Sequence, residues 1–152
     1  IFGSRGLGDV YKRQNLYSTA ENLYPSSTSE FLSKMDKDLT KYSDILLLGH
    51  DWSEDQERLI GILQKIAKSN HEEKSFSVPR VGVIGSRSKW QKFEKHGQEI
   101  GIANQILDSV ICPIGLNVGA ESPEEIAVAV LAQILSFYKQ VEPSEPNWRE
   151  KI

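Results

Sequence analysis

Cysteine is almost absent: Cys112 is the single one in 152 residues, so no disulfide can form within the chain, which fits a reducing compartment. Positive charge is also in the minority. Lys and Arg number 18 against 21 Asp and Glu, giving a formal net charge of −3 and a pI near 5.7. That balance is the opposite of a nucleic-acid footprint, and nucleic acid is not expected as a partner. Long hydrophobic runs are missing too. The longest, 126–135, is interrupted at Gln133 and falls short of the roughly 20 residues a membrane-spanning helix needs. No signal peptide is visible, so no membrane partner and a cytoplasmic location are expected. What is present, 39% hydrophobic and 26% charged residues, suits one folded unit and is too apolar for a disordered tail.

The opening stretch reads unlike the rest. The segment Asp9-Val10-Tyr11-Lys12-Arg13-Gln14 resembles the translated transposon end used in preparing sequencing libraries, and residues 1–14 are set aside as a scar. Gly6 and Gly8 do not begin a dinucleotide loop, because no apolar strand precedes Gly6 and Tyr11 stands where the third glycine belongs. The chain is then expected to be the C-terminal piece of a longer protein, its fold truncated at the N-terminus. Residues 15–27 read as a loop or remnant, 28–140 as the domain, and 141–152 as a tail.

Within that domain the pattern alternates. Phe31, Leu32, Met35 and Leu39 recur at helical spacing over 28–41. Ile45-Leu46-Leu47-Leu48 is a continuous apolar run closed by Gly49, as in a strand buried on both faces. A helical face over 53–68 follows, with Ser53 and Gln56 at capping-box spacing, and then a polar connector over 69–79. Val81-Gly82-Val83-Ile84 repeats the buried-strand pattern before Gly85, and a helix starting near Ser86 or Ser88 carries Trp90, Phe93 and Ile100. A short helix over 104–109 leads to a third strand, 110–114, which Pro113 confines to an edge or cuts short. Ser122-Pro123-Glu124-Glu125 is a strong start for a last helix running to about Gln140. Strands alternating with helices predict an α/β fold, a Rossmann-like three-layer sandwich on a parallel sheet.

Ligands of such sheets bind beyond the carboxyl ends of the strands. Three tips are candidates: Gly49-His50-Asp51, Gly85-Ser86-Arg87-Ser88-Lys89 and Gly115-Leu116-Asn117-Val118-Gly119. The second is the sharpest. Its glycine and serine enter a helix N-terminus, where free amides and the dipole favour an anion beside Arg87 and Lys89; the competing reading is a simple serine cap with both cations solvated. Around His50, Asp51 and Asp55 no other His, Cys or carboxylate shows ligand spacing, and Asp51 and Ser53 are good cap residues, so neither a metal nor a catalytic constellation is expected. Cys112 reads as a small buried hydrophobe. Residues 126–132 are apolar all round, so a second face needs cover from another subunit, another domain or the tail with Trp148. A homodimer is one expectation.

Three blocks in order carry a family resemblance: His50-Asp51 with Asp55, the segment 83–89, and Cys112-Pro113-Ile114-Gly115-Leu116-Asn117-Val118-Gly119-Ala120-Glu121-Ser122-Pro123-Glu124-Glu125-Ile126-Ala127. They resemble the C-terminal Rossmann domain of the xanthine dehydrogenase accessory (XdhC/CoxI) family, over about 42–136. The departures are Gly49, Ser88 and Asn117, where the family usually has Thr, often a second basic residue, and commonly Asp. The resemblance implies a chaperone and not an enzyme. Such a protein binds molybdenum cofactor (molybdopterin), protects it while a cysteine desulfurase supplies the terminal sulfur, and delivers it to a molybdenum hydroxylase such as xanthine dehydrogenase. It also implies a pocket at Gly85, Ser86, Arg87, Lys89, His50, Asp51, Gly115, Asn117 and Gly119. The alternatives are an NAD(P)-dependent oxidoreductase domain, supported by fold analogy alone and weakened by the lack of a first phosphate loop, and a non-catalytic dimerisation module.

Overall fold

Residues 27–35, 39–72 and 78–145 are described by the computed structural model of the chain, and the segments 1–14 and 15–26 and the tryptophan of the tail lie outside them. The chain divides into two compact units, 1–113 and 114–152, the boundary falling inside the span 28–140 expected as one domain.

The described part of the first unit opens on a reciprocal cap. Ser27 Oγ accepts the Glu30 amide and the Glu30 carboxylate accepts the Ser27 amide, both at 3.3 Å, which opens helix α1 (Thr28–Lys34). The helix is shorter than the apolar spacing predicts, and a 3-10 turn at Leu39–Lys41 follows; Met35 and Leu39 still reach the core.

Strand β1 (Asp44–Leu47) then pairs in parallel with β2 (Arg80–Val83), Asp44 opposite Arg80 and Leu47 opposite Val83. The first pair is also an ion pair, Arg80 Nε to Asp44 Oδ1 at 2.9 Å. On its other edge β2 is bridged by Ile111, which exchanges backbone bonds of 2.9 Å with Val81 and Val83. The expected third strand is thus one bridge long, consistent with Pro113 two residues on. Another expectation fails: β1 is not buried on both faces, since only Leu47 is buried and Asp44 to Leu46 are half-buried. Having β2 as its one strand neighbour among the described residues, β1 lacks the cover that β2 receives on two edges.

Helix α2 (Trp52–Glu72) connects the strands and runs past the expected end at 68. Its face of Leu59, Ile62, Leu63 and Ile66 packs with Val81, Val83, Phe93 and Leu107 in one core, drawing also on α3 (Arg87–Glu99) and α4 (Asn104–Asp108). Each such side chain, fully buried, contributes about 1.5–3 kcal/mol. Two parallel strands joined through a helix, each followed by another helix, make this an α/β unit of Rossmann type. Ile100, expected on the buried face of α3, is instead its exposed C-cap.

The second unit holds α5 (Pro123–Lys139). Ser122 Oγ accepts the Glu125 amide at 3.2 Å while Glu125 Oε2 accepts those of Glu121 and Ser122 at 2.7 and 2.9 Å, with proline at the first turn as the sequence predicts.

Candidate functional site

The end of β2 is where free backbone donors collect. Ser86, extended at φ −114° and ψ 171°, caps α3, its Oγ accepting the Lys89 amide at 3.2 Å. The Trp90 amide bonds Ser86 O. Among the described residues the amides of Gly85, Ser86, Arg87 and Ser88 have no acceptor, as a helix start leaves its first N–H groups. A capping hydroxyl accepts one bond and still has its own proton to donate. Arg87 is exposed and has no ion-pair or hydrogen-bond partner among the described residues. Four open amides, one hydroxyl and one guanidinium at a helix N-terminus are a donor set of the kind that suits an anion.

Lys89 is placed differently from the expectation that set it beside Arg87. The residue is 2% exposed, and its ammonium bonds Asp55 Oδ2 at 2.7 Å and Ile84 O at 2.8 Å and lies 5.6 Å from the Phe93 ring centroid. Asp55 is 1% exposed. The pair therefore locks the start of α2 to the start of α3, and the lysine neutralises a carboxylate that would otherwise repel an anion.

Glycine makes room for it twice. A Cβ at Gly49 would overlap Asp55 Oδ1, and one at Gly85 would come within 2.6 Å of Lys89 Cδ and 3.4 Å of Cys112 Sγ. The strand ends at Gly49, Gly85 and Cys112 thus converge on one buried ion pair. Burial pushes the Cys112 thiol above its usual range; the Lys89 charge works against this shift and the Asp55 charge adds to it.

The remaining expected residues separate. Asp51 is the cap of α2: its Oδ1 accepts the amides of Ser53 and Glu54 at 2.8 and 3.2 Å, the role the spacing had suggested for Ser53. His50 is exposed beside it. Gly115, Asn117 and Gly119 belong to the second unit. There Gly115 takes a positive φ of 117° and donates to Gln133 Oε1 at 2.7 Å, Leu116 N bonds Ala129 O at 3.1 Å, and Asn117 and Gly119 are exposed. No cluster of three metal-ligating side chains occurs among the described residues.

Sequence spacing understated Asp55 and Lys89. Each stands four residues before a core side chain, Leu59 and Phe93, so each lies on the buried face of its helix. Two charges of opposite sign on two buried faces were the available signal.

A Rossmann-type unit with open backbone donors at the tip of β2 defines the class. The profile of the XdhC Rossmann domain matches residues 10–134, most of the chain and both units, and the chain belongs to that family. The match begins inside the stretch set aside as a scar. The chain is 35% identical over 78 residues to the uncharacterized protein YqeB of Escherichia coli strain K12, covering 47% of this chain and 14% of that protein. It is also similar to a crystal structure described as a xanthine dehydrogenase from Bacillus halodurans. There the TM-score is 0.63 at 19% identity, over 99% of this chain and 38% of the other. The chain thus spans well under half the length of both.

Proposed function

We propose that this chain is the cofactor-binding Rossmann part of an accessory protein that carries molybdenum cofactor to a molybdenum hydroxylase of the xanthine dehydrogenase kind, without itself catalysing a reaction. Membership in the XdhC family supports the setting. The observation that carries the reading is the cradle of four unpaired amides with exposed Arg87 at the start of α3. The cofactor is cargo, and what it supplies once delivered is the metal centre of the client enzyme.

Its pterin bears a phosphate, and the residues present fit that group. The amides of 85–88 point a helix N-terminus at it, the Ser86 hydroxyl adds a donor, and Arg87 offers a bidentate fork. Lys89 has no part in the contact. Its role in this reading is to hold the Asp55 charge in check and to keep the two turns in register. His50 stays in the proposal as an exposed neighbour, and Asp51 only as the cap that fixes its turn. Gly115, Asn117 and Gly119 remain proposed contacts of the second unit. Cysteine desulfurase, as the source of the terminal sulfur, and the hydroxylase are the proposed partners.

Titration of the chain with molybdenum cofactor and, separately, with NADH and NADPH tests the reading. Saturable cofactor binding that Arg87→Ala weakens about 10- to 100-fold, the value of a hydrogen-bonded charge, is expected. Tight nicotinamide binding with no affinity for the cofactor overturns it in favour of an oxidoreductase domain.

A further inference from the structure

Resting on that reading, we propose that Gln133 is a positioning residue, which holds the loop 115–119 on α5 in the form that presents Asn117 and Gly119 to the cofactor. The polar interruption of the longest apolar run thus has a use in the fold. Gln133 is half-buried, and its Oε1 accepts the Gly115 amide at 2.7 Å from 18 residues away in the chain.

A second fastening lies one helical turn back. The Leu116 amide bonds Ala129 O at 3.1 Å, and positions 129 and 133 share one face of the helix. Between them Gly115 lies against α5. A Cβ there would sit 3.5 Å from Ala129 Cβ and from Val130 Cγ2, an ordinary contact, so the φ of 117° and not lack of space requires glycine. Beyond the fastenings the backbone turns sharply: the Val118 amide bonds Leu116 O at 2.9 Å, a three-residue turn centred on Asn117, and Gly119 takes a φ of 75°.

The donors divide the labour. Residues 115, 116 and 118 spend their amides on holding the loop, whereas those of Asn117, Gly119 and Ala120 have no acceptor among the described residues. Asn117 and Gly119 are exposed, and Val118 between them is 67% exposed, so the tip stands clear of its own unit. Gly115 is then the anchor, and the contacts fall to the tip. With two glycines in five residues the loop has much freedom to lose, and without the Gln133 bond the cost of ordering it falls on the ligand.

Amide hydrogen exchange by NMR and titration with molybdenum cofactor, both on the full chain, test this in Gln133→Leu, Gln133→Met and Gln133→Glu. Leu and Met are good helix formers, and circular dichroism melts confirm that α5 is kept. The Leu and Met variants should exchange the Gly115 amide about 10-fold faster and bind cofactor about 3- to 10-fold more weakly, the range of one lost hydrogen bond. The Glu variant, whose carboxylate accepts the same amide, should restore both. Unchanged exchange at Gly115 in the Leu and Met variants overturns the proposal. So does a loosened loop that binds cofactor as tightly as wild type; there Arg87→Ala still weakens binding, and the reading of the first unit stands. A wild-type chain that takes up no cofactor refutes that reading and this role together.

Discussion

Removing the ammonium of Lys89 should damage this fold more than any surface change of equal size. Lys89→Met keeps most of the volume but leaves Asp55, 1% exposed, as an unpaired carboxylate, and takes a hydrogen bond from Ile84 O. Breaking one side of a buried pair costs about 3–5 kcal/mol. At about 2–4 °C per kcal/mol for a chain of this size, the midpoint of thermal unfolding should fall by about 6–20 °C. Asp55→Asn alone should do comparable harm by stranding the ammonium. The double variant Asp55→Asn with Lys89→Met removes both charges, and such replacements are often neutral, so it should recover most of the loss. Circular dichroism melts of the four proteins close the cycle. A single variant that loses under about 1 kcal/mol, or a double variant whose loss is the sum of the two singles, would refute the claim that this pair ties the two turns together.

Other consequences follow from the same geometry. Gly49→Ala should destabilise the chain, because its Cβ overlaps Asp55 Oδ1, and the loss should shrink in an Asp55→Ala background; urea unfolding of the three variants checks it. Cys112 should react slowly with a thiol reagent at neutral pH. Its rate should rise only at alkaline pH, with the profile moving up in Lys89→Met and down in Asp55→Asn; a thiolate-like rate at pH 7 in wild type would contradict the burial argument. The Glu125 carboxyl titrates below its ordinary 4.5 because it accepts the amides of Ser122 and Glu121. Its support for α5 is therefore present above that value and lost as pH falls through the lowered one. Acid titration of helix content should show this step in wild type and not in Glu125→Gln.

The fold was legible where the determinants are local. Apolar runs ending in glycine marked both strands, and Ser86 and the Ser122-Pro123 start marked two helices, because a cap is decided within four residues. At α2 the local signal was ambiguous: the cap-forming residues Asp51 and Ser53 stand two apart, only the backbone path chooses between them, and it chooses Asp51. The loss of cover on β1 is different, since burial is set by neighbouring strands and the run Ile45-Leu46-Leu47-Leu48 cannot report how many there are. Within the candidate site, the turn that leaves its amides open was visible as Gly85-Ser86-Arg87. The fate of Lys89 was not, because its partner Asp55 lies 34 residues away and their meeting depends on how α2 and α3 pack.

The most direct test of the central claim is to follow the backbone amides of the chain by NMR while molybdenum cofactor is added. The account predicts that the largest shifts fall on Gly85, Ser86, Arg87 and Ser88, with Lys89 Nζ still bonded to Asp55. Silence at those four amides while the cofactor binds elsewhere would contradict it.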